Sequence, residues 1–174
     1  VEAIEAWWRR EDPGRVPRFD RYRAPCGLQL DVTRVRLSET TRYYERFAVQ
    51  TEMILEDLER SGLESDSGIQ LVYYGGPIAD PDVCGAGAGD PEQMIGHTVV
   101  FLAHCTDRDR ARIATHEILH TLGALPTGAP HPCPGDAGHP CDGDRDVLWP
   151  KVDLRSLEET VLDLGRDDYY GHAG

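Results

Sequence analysis

Apolar positions along the chain change their period several times, and each change marks an element. In LQLDVTRVRL, residues 28–37, Leu28, Leu30, Val32, Val35 and Leu37 approximate alternation, which predicts a strand. Ser38, Glu39 and Thr40 follow as a helix start. From 41 to 61 the spacing becomes three and four. Tyr44, Phe47, Ala48, Thr51, Ile54, Leu55 and Leu58 fall on one helical stripe, and Gly62 supplies its stop. IQLVYY at 69–74 reads as a short strand closed by Gly75, Gly76 and Pro77. Residues 81–90, rich in Gly, Pro and Asp, read as a loop holding Cys84. HTVVFLA at 97–103 is a further strand, 106–109 a cap region, and 110–122 the second strong helix. Beyond Gly123 the chain is loop-rich as far as Pro150. A short amphipathic segment, 154–164, and a polar tail end it. Residues 1–25, with Trp7 and Trp8, open on a short helix and then wrap the surface. The order predicts an α+β fold: a small mixed sheet backed by two long helices, with an irregular, loop-rich C-terminal part.

Composition narrows the partners. A length of 174 residues, 40% of them hydrophobic, suits one domain spanning 1–174 with an ordinary core. No stretch approaches the ~18 consecutive apolar residues of a membrane span. The net charge is -13, from 18 basic and 31 acidic residues. That balance speaks against nucleic acid, which is bound through a Lys/Arg stripe, and against an anionic membrane surface. A monomer is the expectation. Five cysteines, Cys26, Cys84, Cys105, Cys133 and Cys141, read as two bridges and one free thiol in an exported, extracellular protein. Five reduced thiols in a cytosolic protein is the alternative. No CxxC spacing occurs, which speaks against a cysteine zinc knuckle. A chain that opens on Val1 is expected to be a processed or trimmed one.

The chemistry concentrates in ATHEILH, residues 114–120. His116 and His120 are four apart and share one helix face, so both imidazoles can reach one zinc ion. Glu117 sits about 100° further round the helix. It is poorly placed as a ligand and well placed as a general base toward a zinc-activated water. From this chain's own His and Glu frequencies, a chance H-E-x-x-H is expected roughly 0.02 times. Ile113, Ile118, Leu119 and Leu122 flank the motif with a helical apolar pattern. A catalytic zinc needs a third protein ligand and an open position. Gly123 and Pro126 end the helix and turn the chain back. His131 is the favoured third ligand, His139 the next choice, and an Asp within 136–146 the last. The bland alternative is a surface helix with two solvated histidines. His97, His104 and His172 have no ligand spacing, and His97 reads as structural.

The run His116-Glu117-Ile118-Leu119-His120-Thr121-Leu122-Gly123 resembles the metzincin clan of zinc peptidases over the first eight positions of H-E-x-x-H-x-x-G-x-x-H. The clan's third His would fall at 126, which is Pro126 here. The extended form, with Ala129-Pro130-His131, Gly138-His139, Asp146-Val147 and the tail Asp167-Asp168-Tyr169-Tyr170, is similar to a group of secreted actinobacterial metzincin-like peptidases. The resemblance is strong over 114–147 and the tail, and weak over the first hundred residues. It implies a metzincin-like fold, one catalytic zinc, a peptide or protein substrate along the sheet edge above the zinc helix, and a methionine turn beneath the metal. Leu148 stands where that methionine is expected. The two residues are close in size, and such core exchanges usually cost under ~1.5 kcal/mol. No tyrosine follows Leu148; Trp149 and Pro150 do, and Tyr169 and Tyr170 are expected to pack rather than assist catalysis.

The cysteines fit the resemblance. A Cys133–Cys141 bridge would rigidify the third-ligand segment, and Cys84–Cys105 would tie the glycine-rich loop to the strand before the zinc helix. Cys26 would then be left over, although five cysteines permit many pairings. Asp142, Asp144 and Asp146 alternate near Asp136 and offer a weak case for Ca2+. A solvated acidic loop is the blander reading, and Val147 stands where the EF-hand template needs glycine. The leading functional expectation is a secreted zinc endopeptidase. A dedicated zinc hydrolase or tailoring enzyme acting on one small peptide or metabolite, and a non-catalytic zinc-stabilised binding domain, are the alternatives.

Overall fold

The computed structural model describes residues 1–46, 50–63, 68–80, 82–103, 105, 108–151 and 153–171. Phe47, Ala48, His104, Thr106 and His172 lie outside the described residues. Helix α1 (Glu2–Glu11) is followed by a hairpin of β1 (Arg21–Ala24) and β2 (Gly27–Leu30). Then come α2 (Thr41–Tyr44), α3 (Gln50–Arg60), β3 (Ile69–Tyr74), β4 (Gly85–Asp90), β5 (Ile95–Phe101) and α4 (Arg110–Thr121). A second hairpin, β6 (Pro132–Cys133) with β7 (Asp136–Pro140), precedes single 3-10 turns at Leu157–Glu159 and Tyr169–Gly171. The fold is mixed α+β, as the pattern predicts. No helix among the described residues is long and apolar enough to cross a membrane.

The main sheet has the order β3-β5-β4, with β3 parallel and β4 antiparallel to β5. Alternation along β5 splits the core into two layers. Val99 and Phe101 join Tyr44, Ile54, Leu55, Leu58 and Tyr74 on the α3 side. Val100 joins α1 and α4 through Ile4, Trp7, Trp8, Ile113, Ala114, Ile118 and Leu119. The two long helices therefore cover opposite faces of the sheet rather than one.

Strand β4 departs from the loop expected at 81–90. Its sequence, GAGAGD, has no apolar side chain larger than a methyl, so period-two patterning is invisible there. Its glycines are a packing device. A Cβ on Gly85 would lie 2.6 Å from Glu117 Cγ, one on Gly87 2.1 Å from the Glu117 carbonyl oxygen, and one on Gly89 2.8 Å from Thr121 Cγ2. Helix α4 therefore rests directly on the β4 backbone, closer than any side chain would allow.

Other differences have physical reasons. The strand expected over 28–37 survives only as β2. Val35 and Leu37 instead pack one by one against the α3 layer, and Ser38 is tied to Asp57 by its backbone N–H and its hydroxyl. The segment 154–164 makes a single turn, closed by a reciprocal Ser156–Glu159 capping box, before Val161 bridges to Asp146.

Helix α4 has well-defined ends. Asp109 caps it, its Oδ1 accepting from Ala111 N at 2.8 Å, while Oδ2 accepts from Leu157 N at 2.6 Å. At the far end Gly123 N donates to His120 O and Ala124 N to Leu119 O, with Gly123 at φ +60°. That is a Schellman closure, and glycine takes the left-handed position at little cost. The helix is buried on nearly every side, which sets aside the surface-helix alternative.

Candidate metal centre

Burial of α4 brings the motif residues inside. His116 is 6% exposed and Glu117 7%. His120, one turn on, lies with its Nε2 3.0 Å from that of His116. The third ring at this point belongs to His139 on β7. Its Nε2 is 3.2 Å from His116 Nε2 and 3.1 Å from His120 Nε2. The β6–β7 hairpin delivers it. The hairpin turns through Gly135 at φ +79°, is closed by the Cys133–Cys141 disulfide, and is extended by Cys141 N donating to His131 O.

The structure therefore brings His139, and not the favoured His131, to His116 and His120. His131 sits at the base of the hairpin, half exposed, with its backbone N–H on Asp168 Oδ1 at 2.9 Å and its ring beside the same carboxylate. Spacing alone cannot separate two histidines eight residues apart; the fold does, by placing His139 on β7 against His116 and His120. Asp136, one of the aspartates of 136–146 considered as a ligand, and the Val147 carbonyl are instead partners of the rings. Asp136 Oδ2 is 2.8 Å from His139 Nδ1, and Val147 O is 2.8 Å from His116 Nδ1. The Asp-x-x-His spacing of 136–139 was the available signal for the first. The second had none, because a backbone carbonyl carries no sequence signature.

These partners set the tautomers. A carbonyl and a carboxylate only accept, so each must take a proton from Nδ1. In the Nδ1–H tautomer so held, His116 and His139 turn bare Nε2 lone pairs toward each other. Burial, and then the neighbouring His120 ring, hold His116 down to about 3. Burial, and then His139, hold His120 down to about 4. Lone pairs facing at 3.2 Å repel unless a cation lies between them. Nitrogens about 2.0–2.1 Å from one tetrahedral zinc are about 3.3 Å apart, close to the separations here. The donor set fits a zinc-class ion.

Glu117 follows His116 on the same buried helix. Burial alone pushes its carboxyl up to about 8, and among the described residues no donor reaches its side-chain oxygens. It packs above Gly85 of β4, whose outer edge is unpaired among the described residues.

The turn at 146–148 meets His116 through the Val147 carbonyl. Asp146 is fully buried and accepts from Leu148 N at 2.8 Å, Leu164 N at 2.9 Å and the Tyr169 hydroxyl. Leu148 is fully buried beside Val147, whose carbonyl holds His116. Tyr169 is likewise buried in the core, and Tyr170 lies under the Arg15 guanidinium at 4.7 Å. The alternating aspartates do not gather around one ion. Asp144 pairs with Arg155, Asp146 faces Tyr169, and Asp136 holds His139. Both disulfides, Cys84–Cys105 and Cys133–Cys141, are formed, and Cys26 is free and exposed in the β1–β2 turn.

No family model matches the chain, and no curated protein or solved structure is significantly similar to it.

Proposed function

We propose that this chain is a secreted, metzincin-like zinc endopeptidase. The observation that carries the reading is the convergence of three Nε2 atoms, on His116, His120 and His139, with the Glu117 carboxyl buried next to His116 in the helix and engaged by no hydrogen-bond donor among the described residues. His116, His120 and His139 would hold the ion. A zinc ion there supplies Lewis acidity to a scissile carbonyl and lowers the pKa of a water to about 7. Glu117 takes a proton from the attacking water and returns it to the leaving amine. Val147 and Asp136 orient the rings from behind.

The edge of β4, unpaired among the described residues, favours a polypeptide over a small metabolite. It runs past Glu117 with only glycine and alanine side chains before Asp90, so an extended peptide can add to it as a further strand. Two disulfides are compatible with an extracellular setting. The test is cleavage of a diverse peptide library by the zinc-loaded protein, with Glu117→Gln and a chelator as controls. Cuts that vanish in both controls are expected. A zinc-loaded protein that cuts no peptide sinks the endopeptidase reading.

A further inference from the structure

His131 is not idle where it lies. Its Nδ1 is 3.3 Å from Asp168 Oδ2 and 3.8 Å from Asp167 Oδ2. Donor atoms of His131, Asp142 and Asp168 all fall within 4.8 Å of one another, and so do those of Asp163, Asp167 and Asp168. Asp168, common to both groups, is 1% exposed. None of these residues belongs to the His116, His120, His139 centre.

Charge and hydrogen bonding are unbalanced at this point. Asp142 Oδ1 and Asp167 Oδ1 are sealed from solvent and receive no hydrogen bond from the described residues. Among the described residues no Arg or Lys pairs with Asp142, Asp167 or Asp168; His131 is the one basic side chain beside them. Carboxylate oxygens shut away from water without a donor are costly, and gathered like charges add to the cost. A divalent cation removes both penalties.

We propose that His131, Asp142 and Asp168 form a second divalent-metal site, selective for a zinc-class ion, that staples the C-terminal tail to the base of the β6–β7 hairpin. The mixed donor set argues for that class. Calcium takes six to eight oxygens, whereas an imidazole with carboxylates suits zinc and its neighbours. The site ties residue 168 to residues 131 and 142, which no disulfide among the described residues links to the tail. It is independent of the peptidase reading.

Zinc stoichiometry tests it. The full chain is stripped with chelator, dialysed against micromolar zinc and assayed by elemental analysis, with far-UV circular dichroism to establish folding. Wild type is expected to hold two zinc ions. His131→Ala and Asp142→Asn should each hold one, and so should His116→Ala/His120→Ala. In that last variant zinc should still raise Tm, because the remaining site binds only the folded chain, while calcium should not. A folded wild type holding a single ion, lost in His116→Ala/His120→Ala and kept in His131→Ala, overturns the second site and leaves the peptidase reading standing. A single ion with the opposite pattern supports the second site and counts against the peptidase. Two ions retained in both His131→Ala and Asp142→Asn overturn it as well, as does a calcium shift equal to that of zinc.

Discussion

His116 Nδ1 stands 2.8 Å from the carbonyl oxygen of Val147, thirty-one residues further along the chain. That contact fixes the ring's tautomer and couples the α4 motif to the turn that carries buried Leu148. The equivalent contact on the third ring comes from a side chain, Asp136 to His139. It can therefore be removed without touching the backbone. Asp136→Ala should keep the fold and weaken zinc binding about 10–100-fold, since outer partners of ligating imidazoles carry effects of that size. Competition with a fluorescent chelator measures it, and unchanged affinity would refute the orienting role.

His139→Ala should abolish peptide cleavage and remove the ion bound with His116 and His120. His131→Ala should leave cleavage of short peptides largely intact. Side-by-side turnover assays at saturating zinc separate the two histidines. Greater loss in the His131 variant would contradict the placement of the rings.

Gly87→Ala tests how tightly α4 lies on β4. The added Cβ would meet the Glu117 carbonyl oxygen at 2.1 Å, and backbone cannot yield as a side-chain tip can. Overpacking of this kind costs about 1–3 kcal/mol. A lower Tm is expected, with cleavage falling further than stability alone explains because the helix carrying Glu117 must shift. Ala88→Gly, on the exposed side of the same strand, is the control.

The Cys133–Cys141 bridge closes a short loop around the strand that carries His139. Replacing both cysteines with serine should cost about 2–3 kcal/mol by the chain-entropy estimate. Zinc affinity should fall with it, since His139, the proposed third ligand, loses its fixed position. Chemical denaturation and chelator competition on the same samples give both quantities, and loss of stability with affinity unchanged would detach the bridge from the metal centre.

Acid should weaken the α3 side of the molecule through Asp57. Burial pushes its carboxyl up, but hydrogen bonds from Tyr44 and Ser38, with Arg60 adjacent, outweigh burial and hold it below the ordinary range. The folded pKa is thus below the unfolded value of about 3.9. Such a group stabilises the fold above that value, and the contribution disappears as pH falls through the folded pKa. Tyr44→Phe should cost about 1.5–3 kcal/mol at neutral pH, the range for a hydrogen bond to a charged acceptor. It should cost less near pH 3. Urea melts at the two pH values decide it, and an equal loss at both would contradict the linkage.

Much of this molecule was legible before its fold. Apolar patterning locates β3, β5 and α4 to within a few residues, whereas the helix read over 41–61 is divided into α2 and α3, and α3 begins only at Gln50. The end of α4 at Gly123 was readable because only a residue at ease with positive φ closes a helix that way. The pair His116 and His120, with Glu117 between them, was readable because a helix converts a spacing of four into adjacency by local geometry alone.

What the chain's order left open is what depends on distant segments meeting. β4 was read as a loop, since a strand of glycine and alanine shows its purpose only against the helix it admits. Nothing local distinguishes His131 from His139 as the third histidine; the fold does so, by bringing the His139 ring to His116 and leaving His131 beside Asp168. The residues of one helix turn are neighbours by covalent geometry, and sequence alone determines them. Ligands, backbone partners and aspartates that meet across twenty to forty residues become neighbours only through packing, and that is decided in three dimensions.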